Sequence, residues 1–220
     1  MPGRIGILLS GIGFEKGTQV LELPFIYREI ERGGALPVCV VPREVVPTVG
    51  RGRLVSRRNL FEECAPIARG ELIPVEKIDP KKLNALIIPG GKGTITVLSD
   101  ISDSGADARL VRSVQDLIVG MFVRKKPIGT LGYGGALVMV ALKRSIEEPI
   151  ITLGEDTALT ASLSSLGLAP VNVGPQEVIF DPENRLFSAA GIAPRSSIVK
   201  GSDGVCRLTE AVVEYREKRR

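Results

Sequence analysis

The chain has 220 residues, 44% of them hydrophobic and 25% charged, with a formal charge of +4 and no histidine. That length suits one large domain or two very small ones. The charge excess is too small for the concentrated basic face of a nucleic-acid binder, and no run of 18 apolar residues offers a membrane span.

The missing histidine removes Ser-His-Asp and Cys-His nucleophile pairs, histidine general bases and nearly every common transition-metal site, so no metal and no cofactor is expected. Cys39, Cys64 and Cys206 are too far apart for a CxxC motif and read as buried or free thiols. The start, MPGRIGILLSGIG, lacks the features of a signal peptide, and the expected location is the cytosol. Three glutamines and four asparagines hint at a thermophilic source.

Along the chain, residues 4–9 (RIGILL) form an apolar run that enters the glycine-rich stretch SGIGFEKG, the pattern of a buried strand and its loop. A helix is expected over 18–32, closed by Gly33-Gly34 and bent by Pro24. Residues 35–41 (ALPVCVV) read as a second buried strand. The stretch 42–58, with Arg43, Arg51, Arg53, Arg57 and Arg58, reads as an excursion or hairpin with a solvated basic face.

A helix over 59–69 is disturbed by Pro66 in its last turn, and 84–89 (NALIIP) is a strand leading to Gly90-Gly91-Lys92-Gly93. Residues 99–107 are turn-like, 108–124 form an amphipathic helix, and 127–131 run into Gly132-Tyr133-Gly134-Gly135 before a helical run over 136–142. Strands at 150–153, 171–173, 177–180 and 185–188 bracket a helix near 157–166, with a hairpin turn at 181–184. The last helix, near whose start Cys206 falls, ends in the basic run 216–220, a frayed tail suited to the helix dipole.

Alternating strands and helices predict one α/β domain, a mostly parallel sheet covered on both faces. Ligands on such sheets bind beyond the carboxyl ends of the strands. Three of those ends carry glycine loops, 10–17, 90–93 and 132–135, and the site is expected where they converge.

Three readings of these loops compete. Dinucleotide or phosphate binding is disfavoured, because Gly11-x-Gly13-x-x-x-Gly17 misses the GxGxxG spacing and Lys92 is not followed by Ser or Thr. A nucleophile elbow fits the strand–turn–helix pattern of 128–135. The third reading is that the glycines only make tight turns and close packing.

A resemblance bears on the choice. Leu86-Ile87-Ile88-Pro89-Gly90-Gly91, Lys126-Pro127-Ile128-Gly129 and Arg69-Gly70-Glu71 resemble the PfpI-type branch of the class I glutamine-amidotransferase-like superfamily. Leu8-Leu9-Ser10-Gly11-Ile12-Gly13 and Lys16-Gly17-Thr18 resemble its ElbB subgroup, described as isoprenoid-biosynthesis-associated or glyoxalase-like. The resemblance covers essentially the whole chain and implies a flavodoxin-like three-layer sandwich with a small β-hairpin, commonly dimeric.

It also implies an elbow cysteine at the position of Gly132, a supporting glutamate at Glu22, and oxyanion donors at the backbone N–H groups of Gly91 and Tyr133. Gly11, Gly13 and Lys92 belong to the expected binding loops; Lys92 is either a cation over the pocket or a surface lysine. Glycine at 132 relaxes the strained elbow conformation and deletes the nucleophile. The proline that follows the cysteine in the family is also missing, with Gly134-Gly135 in its place.

The resulting expectation is a homodimer that binds a small carbonyl or carboxylate metabolite, or a partner protein, at a site without cysteine chemistry. The alternative is a cysteine-independent, glyoxalase-type lyase or hydratase with Glu22 as general base. A structural subunit assembling through the Arg-rich segment is a third class. Glutaminase and peptidase activity are disfavoured, because both need an activated thiolate.

Overall fold

The computed structural model describes residues 2–43, 58–104, 108–154, 157–164 and 170–217. Its seven strands, β1 (Gly3–Leu8), β2 (Ala35–Val41), β3 (Glu71–Pro74), β4 (Ala85–Ile88), β5 (Ile128–Leu131), β6 (Val178–Asp181) and β7 (Leu186–Ala189), form one sheet in the order β3-β2-β1-β4-β5-β7-β6. Every pairing is parallel except that of β6 with β7. β4 and β5 are buried along their whole length, as a sheet covered on both faces requires; β4 is apolar throughout, and the one hydroxyl of β5, on Thr130, donates to Phe187 O.

The helices are α1 (Leu23–Arg32), α2 (Leu60–Cys64), α3 (Gly93–Thr96), α4 (Ile101–Ser104), α5 (Arg112–Val123), α6 (Tyr133–Leu142), α7 (Thr157–Ser164) and α8 (Ile198–Glu217). Two neighbours on β5 show how the sheet is covered. A Cβ on Gly129 would meet Val212 and Leu208 of α8, whereas the next residue, Thr130, lies beside Gly135 of α6. Successive strand residues point to opposite faces, so α8 and α6 lie on opposite sides of the sheet. α1 packs on α8, and α5 and α3 pack on α6. This is the expected flavodoxin-like α/β sandwich. α6 is buried from Gly134 to Leu142, apolar all round as a helix enclosed in the core must be.

Several elements differ from the sequence-based expectation. The first helix begins at Leu23, after a 3-10 turn over Val20–Glu22, and Pro24 occupies its opening turn. Proline starts this helix instead of bending it, because its missing N–H has no partner to lose there. Residues 101–104 of the stretch read as turn-like form the short helix α4. The edge strand β3 was not foreseen; it ends on Pro74, tolerated where no ladder partner is needed.

Residues 150–153 and 171–173 are not strands. The N–H groups of Ile150, Thr152 and Gly154 are taken by side-chain oxygens of Asp181, Ser188 and Thr152, at 3.1, 2.9 and 3.0 Å, and only Val171 N–H to Ile151 O joins the two stretches. The hairpin at 181–184 is present, with the Asp181 carboxylate accepting from both the backbone and the side chain of Asn184. Phe180, Phe187 and Tyr215 stack beside it. Cys206 sits in the middle of α8, not near its start. Arg216 is buried and donates to Gly33 O at 3.1 Å, so it is an anchor of α8 and not part of a frayed tail.

Of the basic excursion, residues 44–57 lie outside the described residues. Arg58 is not a solvated charge: its side chain is only 21% exposed, pairs with Glu63 and donates to Lys16 O at 2.6 Å. The motif residues Arg69 and Glu71 also serve the frame, pairing with Glu31 and Arg4 at 2.7 and 2.6 Å.

Lys126 lies just before β5, at the end of the sheet remote from the glycine loops. Its ammonium donates to Pro80 O at 2.7 Å, Lys81 O at 2.9 Å and Leu83 O, which holds the turn before β4 against the turn before β5. Burial pushes its pKa down, yet three carbonyls match the three ammonium protons. Lys126→Met should strand those carbonyls and lower unfolding free energy by about 1–3 kcal/mol. Urea unfolding followed by circular dichroism measures this.

Candidate functional site

Four parallel strands, β1, β4, β5 and β7, end on the same side of the sheet, and a cavity of about 780 Å³ opens beyond them. It is lined by Phe14 and Glu15 from the β1 loop, Glu22, the β4 loop 90–92, Gly132 and Tyr133 after β5, residues 190–196 after β7, and Leu153, Gly154, Val173 and Pro175.

The loop after β1 is closed on the loop after β4 by backbone hydrogen bonds. Gln19 N–H donates to Gly90 O at 2.8 Å, Lys92 N–H to Phe14 O at 2.7 Å, and Gly93 N–H to Gly17 O at 3.1 Å. The backbones approach so closely that a Cβ on Gly91 would lie 2.2 Å from Gly17 O. Much of the glycine content is therefore packing, as the third sequence reading had it.

Glu22 ends the 3-10 turn before α1 and is 1% exposed. Gly90 N–H donates to its Oε2 at 2.7 Å, and Ile192 N–H donates to its Oε1 at 2.9 Å. The two donors favour the carboxylate, but burial outweighs them and raises the pKa to about 7. Gly191, at φ +71°, leaves room for this carboxyl: a Cβ there would sit 2.4 Å from Oε1.

Gly132 caps α6 at φ +47°, ψ −121°. This is the sharp strand-to-helix turn of an elbow, in a region that side-chain-bearing residues rarely adopt. A Cβ at this position would meet only Ala190 O, at 3.2 Å. The turn thus keeps the form that would present a side chain to the cavity while carrying none.

The structure brings Glu22, Gly91, Lys92, Gly132 and Tyr133 together around the cavity. Gly11 and Gly13 do not line it. Gly11 turns the loop against the Arg58–Glu63 pair, and Ile12 N–H donates to Glu63 at 2.8 Å, which directs that part of the loop away. Lys92 is at the cavity but pairs with Glu15 at 2.8 Å, its Nζ 5.9 Å from the centre of the Phe14 ring.

None of the cysteines lines the cavity. Burial pushes the Cys39 and Cys206 thiols up and that of Cys64 to about 12, so none is poised as a thiolate.

Sequence reasoning missed the fourth loop, 190–196, with Gly191, Ile192 and Arg195, and it missed Gln19, whose amide donates to Ile192 O at 2.6 Å. The signal was present: Ala189-Ala190-Gly191 follows a strand that the elbow strand pairs with in parallel. Strand 185–188 was read only as half of a hairpin, and its far end was not counted as a strand end at the ligand side.

No family model matches the chain. It is 24% identical over 229 residues to the rat (Rattus norvegicus) ES1 protein homolog, mitochondrial, covering 98% of this chain and 85% of that protein. It is also 24% identical over 229 residues to the human (Homo sapiens) glutamine amidotransferase-like class 1 domain-containing protein 3, mitochondrial, covering 98% and 84%.

Among solved structures, an isoprenoid biosynthesis protein with an amidotransferase-like domain from Ehrlichia chaffeensis superposes with a TM-score of 0.83 at 23% identity, over 96% of this chain and 99% of that one. A ThiJ/PfpI domain protein from Brachyspira murdochii superposes with a TM-score of 0.57 at 14% identity, over 98% and 96%. The resemblance to the ElbB-like branch of the PfpI-type superfamily is borne out, and the fold is shared. No described helix is long and apolar enough to cross a membrane.

Two predictions follow from this geometry. Gly132→Ala should lower stability by about 1–3 kcal/mol, because alanine must take up the φ +47° turn, and denaturant midpoints will show it. The second concerns pH. Glu22 holds its proton more tightly folded than unfolded, so its contribution is fully present below about pH 4.5 and is lost as pH rises through about 7.

The chain has no histidine to add a titration in that window. Wild type should therefore lose up to about 3 kcal/mol relative to Glu22→Gln between pH 5 and 8, as paired urea titrations would show.

Proposed function

We propose that the protein binds a small carbonyl or carboxylate metabolite in this cavity without covalent chemistry. The observation that carries the reading is Gly132. The elbow turn, the buried carboxyl and the cavity are all retained around a position that lacks any nucleophile. No histidine exists to activate a hydroxyl or thiol elsewhere, and the three cysteines lie away from the cavity with raised pKa values. Amide hydrolysis is not part of the proposal, since it needs a thiolate. The working form is a homodimer in the cytosol.

A second reading is favoured by one observation, the Glu22 pKa near 7, which suits a general base at neutral pH. In that reaction water adds to an aldehyde carbon while Glu22 takes its proton. The hydrogen on that carbon then moves with its electron pair, as hydride, to the adjacent carbonyl carbon, whose oxygen takes the proton back from Glu22; the first carbon becomes the carboxyl of a hydroxy acid.

Hydroxy-acid formation from glyoxal and methylglyoxal separates the two, measured with wild type, Glu22→Gln and Gly132→Cys. The binding reading expects wild type to be inert and Gly132→Cys to gain turnover, because a thiol restored to the elbow faces an intact cavity. Turnover by wild type that Glu22→Gln abolishes would overturn it in favour of the hydratase.

A further inference from the structure

The charges around the cavity are not equivalent. Among the described residues, four charged side chains line it: Glu15, Glu22, Lys92 and Arg195. Lys92 and Glu15 hold each other at 2.8 Å, so neither offers a full charge to a ligand. Glu22 is turned onto two backbone N–H groups at the inner wall. Arg195 lies in the loop between β7 and α8, exposed, and makes no ion pair with any described acid.

The backbone adds to this bias. α6 starts at Tyr133 in the cavity wall, so the N-terminal end of a 10-residue helix lies at this site. Helix N-termini carry positive partial charge. Exposed and uncommitted, the Arg195 guanidinium can offer two parallel N–H groups to a carboxylate, which an ammonium cannot do.

We infer that the cavity selects a small anionic carboxylate of the 2-oxo or 2-hydroxy acid class, with Arg195 as the residue that recognises its charge. The inference rests on the reading that the cavity is a binding site. The carboxylate lies toward Arg195 at the mouth, and the carbonyl or hydroxyl carbon lies over Gly132, in the space an elbow side chain would fill. Arg195 is thus a specificity residue: it separates acids from neutral carbonyl compounds of the same size.

The test is isothermal titration with pyruvate and with hydroxyacetone, its neutral counterpart of nearly equal volume. Wild type, Arg195→Gln and Arg195→Lys are compared. Because Arg195 is exposed and pairs with no described acid, its variants should fold, and circular dichroism checks this.

Wild type should bind pyruvate about tenfold more tightly than hydroxyacetone. Arg195→Gln should remove that preference and leave hydroxyacetone binding unchanged, and Arg195→Lys should restore part of it.

Equal binding of the two probes by wild type, or an undiminished preference in Arg195→Gln, would overturn the inference and leave the cavity a carbonyl site. If neither probe binds wild type, the binding-site reading itself fails along with the inference.

Discussion

The Glu22 carboxyl is the constraint on which the site is built. It stands where the β1 loop becomes α1, and its two oxygens accept N–H groups from the loop after β4 and the loop after β7. One side chain therefore fixes three separate segments relative to one another. Gly90 and Gly191 bear no side chain because the carboxyl fills the space beside them, and Gln19 ties the β7 loop again from three residues away. Burying such a group is expensive unless it is hydrogen-bonded, and the cost is divided between two backbone donors and an upward shift in pKa.

A carboxyl so held needs no neighbouring side chain, because its partners are backbone groups of the frame. The arrangement stands around a turn whose residue carries no side chain. Position 132 interacts with the frame through backbone alone: its N–H donates to Ala189 O at 2.9 Å, and its carbonyl accepts from Gly135 N–H at 2.9 Å. A Cβ here would meet only the carbonyl oxygen of Ala190, at 3.2 Å. Glycine is also the residue that holds φ +47° with least strain.

Much of this was legible in the sequence, for reasons particular to each part. The buried parallel strands read as unbroken apolar runs, and the glycine clusters mark the ends at which ligands bind. Gly132 and Glu22 came from the resemblance, since neither glycine nor glutamate announces a site by itself. What failed to show were segments whose backbone is satisfied by side chains. Residues 150–154 have the composition of a strand, but Asp181, Ser188 and Thr152 take their N–H groups, and no local pattern reveals partners 31 and 36 residues away. Arg58 and Arg216 look like solvated charges in a basic run; only tertiary contact turns them into clamps.

The same distinction separates the two cations at the cavity. Lys92 sits in a glycine loop and drew attention at once, whereas Arg195 lies in a stretch, Ala193-Pro194-Arg195-Ser196, without any motif. Pairing reverses their standing. An ammonium already 2.8 Å from a carboxylate has most of its field cancelled, while a guanidinium that pairs with no described acid keeps its charge for a ligand at the mouth of the cavity. A charge is available to a ligand only to the extent that the protein has not already used it. By that measure the unmarked arginine, not the lysine of the glycine loop, sets the sign of what this cavity holds.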